Sequence, residues 1–507
     1  GDKASDGYEV SEGTDPKDPE SKPQGGLGFA WARRAGGTLW DQARDLVTDA
    51  EGNSYVTGGY TTGSISVDGA NYSSIPNNGG RDVFVAKYDT NGLIKWWVTF
   101  RGPQNDYGNA IDLDPEGNVL VTGIYGESID GDHHMDENMS LHYLNAGKKK
   151  LDEGGRHGSA FVGKISSAGK VLWSDALYGV EGSHVHGLGI GSGPAGQVYV
   201  TGKFSVMIMS KDPNIVSSVG NLDAFVAAYG ADGNLDWIKG LGGRSADSAN
   251  AIAVDSSGDL WVAGAMGGAP AGSKVLLGKA LTPEHAPLNQ EMELMDTPLT
   301  PGAFITRLSP DGSAARWIKT YATNGGGRVK DLAPDGQSAY LVGTASSGAN
   351  FGGQVVDGEF FAKVDSSGEV SFAKSTVSGT ALNLMPDGSV IAIGSNVEKF
   401  KADGSRLWTY AKEGLGISSD AAGFIYLCGG FRDTSDFDPH HLSSAGDVDA
   451  YLAKMGIVTG NAKPTDLTLG HYAFMERLPP TAVAARLSAV DADLGQVHEF
   501  HLVGGPG

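Results

Sequence analysis

Histidines and carboxylates crowd two neighbouring stretches of this chain, and both residue types bind metal ions. Between Tyr125 and Gly158 the run SIDGDHHMDEN is followed by His142, Lys148 to Lys150 and RHG. This places His133, His134, Asp136, Glu137, His142 and His157 in one insertion. Imidazole nitrogens beside carboxylate oxygens suit zinc or another transition metal. Further on, SHVHG sets His184 and His186 two residues apart, on one face of a strand. His133, His134, His184 and His186 are thus the expected transition-metal ligands. No HExxH or comparable spacing accompanies them, and a solvated polar loop is the competing reading. Asp130 and Asp132 could instead bind calcium, although the segment does not match the twelve-residue EF-hand loop. The single cysteine, Cys428, sits in the apolar run FIYLCG and reads as a buried thiol filling a core gap. One cysteine excludes a disulfide framework and a CxxCH haem site.

The elements that must position these groups announce themselves by repetition. DVFVAKYDTNGLIKW (Asp82 to Trp96) recurs as SAFVGKISSAGKVLW ending at Trp173, DAFVAAYGADGNLDW at Trp237, GAFITRLSPDGSAARW at Trp317, GEFFAKVDSSGEVSF at Phe372 and NVEKFKADGSRLW at Trp408. A shortened seventh, DAYLAKM, runs from Asp449 to Met455. Period-two alternation puts Val83 and Val85 on one face and Phe84, Ala86 and Tyr88 on the other, which describes a strand. The turn glycines Gly92, Gly169, Gly233, Gly368 and Gly404 fall four residues before their aromatic, as a hairpin with a glycine at positive φ requires. A second hairpin precedes each copy, clearest as NAIDLDPEGNVLVTG and NAIAVDSSGDLWVAG.

Two hairpins per unit, repeated seven times, predict an all-β, seven-bladed β-propeller of four-stranded blades. Only six copies carry their own aromatic strand. GFAWARRAG (Gly28 to Gly36) is expected to supply the seventh, with Trp31 closing the ring from the N-terminal end and removing an open sheet edge. Blade six has Asn396 where other copies carry Phe or Tyr, and almost no connection between its hairpins.

These residues resemble the bacterial SBBP repeat family, whose units look like D.A..IAVDSSGNVYVTG followed by DAFVAKYD.NGNLLW. The last blade, GGFRDTSDFDPHHLSSAGDVDAYLAKM, shares the family's DFDP and Ser-x-Gly-x-x-Asp-Ala spacing. The resemblance covers residues 28 to 455. It implies an extracellular protein or one on the bacterial cell surface, and no particular reaction.

A net charge of −22 disfavours nucleic acid or an anionic membrane as the main partner. No stretch approaches the roughly 20 apolar residues of a membrane span. Residues 1–25 are acidic and poor in apolar groups, and are expected to form a disordered linker. Such a leader often follows a lipidated cysteine, so a lipid tether beyond this chain is one expectation. The propeller is expected over 26–455, a linker over 456–463 and a further domain over 464–507.

That further domain begins PTDLTLGHYAFMERLPPTAVAARLSAVDADLGQ. The alternating VAARLSAVDAD strand, the glutamate after an aromatic in AFMER and the DADLG turn resemble the opening of a cadherin-like repeat, a calcium-binding β-sandwich. Carried over by position, the resemblance makes Glu476, Asp491 and Asp493 the calcium ligands. Clustered carboxylates suit calcium in any case. The segment is less than half of a sandwich, so a truncated repeat array, or a homo-oligomer in which a neighbour completes the sheet by strand addition, is expected.

The links between the two hairpins of a blade vary from almost nothing in blade six to long insertions near 125–158 and 266–301. One face is therefore elaborated, and a protein or glycan partner is expected there. In the second insertion, Thr282 and Pro283 read as a helix start, with Leu288, Met292 and Met295 along one side. The first strands read AIDLD, AIAVD, LNLM and GISSD, without a recurring inward set of Arg, Asp and Glu. A non-catalytic surface module for adhesion, matrix or filament assembly is expected. The alternative is a propeller enzyme, either a quinoprotein-like oxidoreductase or a glycan-active lyase or hydrolase.

Overall fold

The computed structural model describes residues 26–458 except 62–64, 68–69, 73–79, 101–103, 128–157, 180–182, 210–214, 219, 244, 268–274, 278–291, 295–300 and 323–325, together with two short strands at 466–469 and 487–490. Among these residues no helix is long and apolar enough to cross a membrane.

Seven antiparallel blades form a closed propeller. Blade 1 is Asp41–Thr48, Ser54–Tyr60, Asp82–Tyr88 and Ile94–Phe100, hydrogen-bonded in that order. Blades 2 to 5 follow the same plan. Blade 6, which departs from the other copies at Asn396, is complete as Ala381–Leu384, Val390–Ile393, Val397–Phe400 and Arg406–Tyr410. Blade 7 has Gly416–Ser419, Ile425–Phe431 and Asp449–Val458, and its fourth strand is Gly26–Gly36, with Trp31 paired to Lys454. The N-terminal strand therefore closes the ring as expected.

The third strand of each blade is buried on both faces, which is why it reads as a continuous apolar run. Phe84, Ala86 and Tyr88 pack with Trp31 and Tyr426 of blade 7. Val83 and Val85 pack with Val121 and Phe161 of blade 2. Period-two alternation thus divides one strand between two blade interfaces.

The outer-strand aromatic bridges to the next blade. The indole N–H of Trp31 donates to Thr90 O (3.0 Å), Trp96 to Ser167 O (3.0 Å), Trp173 to Ala231 O (3.1 Å), Trp237 to Pro310 O (3.3 Å) and Trp317 to Ser366 O (2.7 Å). Each acceptor lies in the last hairpin turn of the following blade, and the ring lies against that turn's glycine. A Cβ at Gly233 would fall 2.5 Å from the Trp173 ring. Phe372 has no N–H to donate; across its interface the Tyr340 hydroxyl donates to Ala402 O instead (3.3 Å).

The repeated lysine or arginine of the third strand pairs with the aspartate of the same blade's first turn. Lys164 lies 2.6 Å from Asp114, Arg307 2.7 Å from Asp255, Lys363 2.7 Å from Asp335 and Lys399 3.0 Å from Asp387. Burial alone would raise the Asp114 carboxyl, but Lys164 and Asn118 hold it below the usual carboxylate range. In blade 3 both partners are missing together: Ala228 replaces the lysine and Gly193 the aspartate. Lys164→Ala should therefore destabilise the protein by about 3 kcal/mol, by leaving Asp114 buried without its cation. Adding Asp114→Gly, which copies blade 3, should recover most of that loss in a urea melt.

The links between hairpins do not merely elaborate one face. Val275–Leu277 and Met292–Leu294, from the link of blade 4, pair with each other and extend the outer edge of blade 3 through Leu241↔Leu277. Met207–Met209 and Ile215–Ser217, from blade 3, do the same for blade 2. Ile65–Val67 and Ala70–Tyr72, from blade 1, extend blade 7. The helix expected around Met292 is replaced by a strand, because pairing with Val275–Leu277, itself bonded to the edge of blade 3, outweighs a weak helical spacing. Leu288 and Met295 lie outside the described residues. Beyond the ring, Asp466–Leu469 pairs with Leu487–Val490.

Candidate functional site

The strand starts, links and blade crossovers meet on one face around a central channel. There the first strands present charged side chains. Arg44 donates to Asn109 Oδ1 (2.6 Å) and lies over the Tyr107 ring at 4.2 Å. Asp45 accepts the Ile111 N–H of blade 2 (2.9 Å) and Asp112 the Ser192 N–H of blade 3 (3.0 Å). Asp331 accepts the Leu382 N–H of blade 6 (2.9 Å). Arg44, Asp45, Asp112 and Asp331 are half-buried. Sequence reading missed them, although RDL at Arg44–Leu46 and KDL at Lys330–Leu332 repeat the same residue types in blades 1 and 5.

The confined channel makes ionisation costly. Burial, with Asp331 facing across, pushes Asp45 up to about 8 against two backbone N–H bonds that favour its charged form. Burial likewise raises Asp112 and Asp331 to about 6 each, and raises Asp247, at the junction of blades 3 and 4, to about 7. These groups bind more protons folded than unfolded between pH 4 and 8. Their contribution is complete below the unfolded pKa near 3.8 and is lost as pH rises through 6 to 8. Asp114, Asp255 and Glu398 are shifted the other way and weaken the fold only in stronger acid. Stability should therefore peak in mild acid and fall by on the order of 1–3 kcal/mol between pH 5.5 and 8.5, after discounting for the partial exposure of these groups. Asp45→Asn should flatten that decline in calorimetric scans.

A cavity of about 280 Å³ opens at the channel mouth between blades 5, 6, 7 and 1, lined by Gln42, Glu359, Thr380, Gly394, Ser395, Glu413, Gly414, Leu415 and Gly430. Beside it the two hairpins of blade 6 are joined by Gly394, Ser395 and Asn396 alone. Lys330 approaches from one side, with Nζ 4.0 Å from Glu359.

The predicted metal ligands fare differently. His184 is exposed and His186 half-buried, with ring centroids 6.4 Å apart. Burial, followed by Lys203 and His184, pulls His186 down to about 4. His133 and His134 lie outside the described residues, as do Glu476, Asp491 and Asp493. Among the described residues no group of three or more His, Cys, Asp or Glu is placed to hold a metal. Cys428 is fully buried, and burial raises its thiol well above the usual range, consistent with a structural role.

No family model matches the chain, so the two family resemblances rest on the quoted residues alone. An uncharacterised WD repeat-containing protein of Acanthamoeba polyphaga mimivirus is 25% identical over 228 residues, covering 41% of this chain and 16% of that protein. The match thus takes in less than a fifth of the relative's length. Among solved structures, the WD40 β-propeller domain of Doa1 is similar at TM-score 0.42 and 13% identity, covering 85% of this chain and 97% of that one. A quinohemoprotein alcohol dehydrogenase from Pseudomonas putida gives TM-score 0.39 and 11% identity, covering 90% and 78%. Similarity this low carries no information on ligand or reaction.

Proposed function

We propose that the chain is a non-catalytic binding and scaffold module, secreted or displayed on a bacterial cell surface and used in adhesion, matrix or filament assembly. One observation carries this reading. The charged groups at the channel act as crosslinks between blades: Asp45, Asp112 and Asp331 each accept a backbone N–H of the next blade, and Arg44 bonds Asn109 across the same kind of junction. Side chains held this way rigidify a ring, and a rigid ring with a polar cavity on its link face suits recognition. Calcium-dependent linkage through Glu476, Asp491 and Asp493 belongs to the same proposal and rests on their chemistry as hard oxygen ligands.

The full chain should bind saturably to a component of a glycan panel or to a second copy of itself, without consuming any substrate. Turnover of a primary alcohol with a dye acceptor after pyrroloquinoline quinone is added, or cleavage of any glycan, would replace this reading with the enzymatic one. Melting in calcium against chelator tests the linkage: a higher melting temperature or larger assemblies with calcium are expected.

A further inference from the structure

We propose that the cavity at the channel mouth binds one cationic side chain, the guanidinium of an arginine or the ammonium of a lysine, presented by a partner protein. This rests on the reading of the link face as a recognition surface and names what that surface holds.

Shape comes first. At about 280 Å³ the cavity lies just below the roughly 300–1,000 Å³ of typical small-molecule sites, so it suits a single slender group. It also has depth. Gln42 on its wall is three residues before Asp45 on the same strand. Thr380 is two residues before Leu382, whose N–H is bonded to Asp331. Leu415 precedes Gly416, where a Cβ would lie 3.0 Å from the Asp45 Cα. A chain entering past Glu359 and Glu413 would therefore approach the hydrogen-bonding side chains of Asp45 and Asp331.

Charge decides the occupant. Glu359 and Glu413 are the ionisable side chains of the lining, and the rest is glycine, leucine and the neutral polar Gln42, Thr380 and Ser395. Glu359 and Glu413 at the mouth disfavour an anion and favour a cation. The lining holds no aromatic ring on which a sugar face could stack. Lys330 already contributes one ammonium at the rim, which shows that the site accepts this chemistry and also makes Lys330 a competitor. Arginine matches such a site best, because its planar fork can bond two carboxylates and a backbone carbonyl together.

Calorimetric titration of the full chain with an acetylated, amidated tripeptide Gly-Arg-Gly tests the inference, with the citrulline tripeptide as neutral isostere and putrescine as free amine. The arginine peptide should bind at least about tenfold tighter than the citrulline peptide and tighter than putrescine. Glu359→Gln together with Glu413→Gln should weaken it about tenfold, and Lys330→Met should tighten it. Ser395→Trp, at an exposed position of the lining, should abolish binding without changing the melting temperature. Equal binding of the arginine and citrulline peptides, or binding unaffected by Ser395→Trp, overturns the site. No peptide binding in a protein that still binds its glycan or itself also overturns the site and leaves the scaffold reading standing. Loss of both kinds of binding ends both.

Discussion

A chain lacking residues 1–36 is expected to lose the cooperative melt of the ring and to aggregate. Gly26–Gly36 is the fourth strand of blade 7, and Phe29, Ala30, Trp31 and Ala32 are buried in it. Phe29 meets Tyr410 and Phe437 edge-on, Trp31 bonds Thr90 of blade 1, and Arg34 lies 2.6 Å from the buried Asp449. Losing Phe29 and Trp31 alone is worth about 6–10 kcal/mol, comparable to the whole stability of a folded domain, about 5–15 kcal/mol. The strand Asp449–Val458 would also become an unpaired edge. Light scattering and thermal melting would show this, and removal of residues 1–25 alone is the control. A peptide of residues 26–36 added in trans should restore the monomer. A shortened chain that stays monomeric with an unchanged melting temperature would refute closure by this strand.

The second large effect lies at the interface of blades 2 and 3. Trp173→Ala should cost about 3–5 kcal/mol, since it empties a packed aromatic site and orphans Ala231 O. Gly233→Ala should cost about 2–3 kcal/mol, from a left-handed φ of +84° and a methyl group 2.5 Å from the indole. In the double variant the methyl has room, leaving only the backbone cost. The two changes should therefore be less than additive by about 1–2 kcal/mol in urea melts. Strict additivity would mean that the glycine serves its own turn and not the tryptophan.

Much of this was legible because it is repeated. An alternating run followed by Asp-x-x-Gly and an aromatic means little once, but recurring copies leave few architectures open. Trp31 is assignable from the sequence alone because the copies count seven third strands against six aromatic partners. The lysine–aspartate pairing also left a trace, the joint loss at Ala228 and Gly193. The links were misjudged for the opposite reason: each is unique. Nothing local to Val275–Leu277 or Met292–Leu294 indicates that they will extend the sheet of the preceding blade.

The candidate site shows the same division. His184 and His186 attract notice as residue types, yet the structure sets them beside Lys203 with no third described ligand. Arg44, Asp45, Lys330 and Asp331 sit in unremarkable strand segments and converge only when the ring closes. By itself the sequence determined the repeat, the strand alternation and the turn glycines, because these depend on the order of neighbouring residues within one blade, and the N-terminal closure, because the copies leave one third strand without an aromatic partner. Tertiary structure alone decided which edges the link hairpins cover, which carboxylates share the channel and where the mouth stays open. Those outcomes depend on distances between residues tens to hundreds of positions apart, and burial and charge act through such distances.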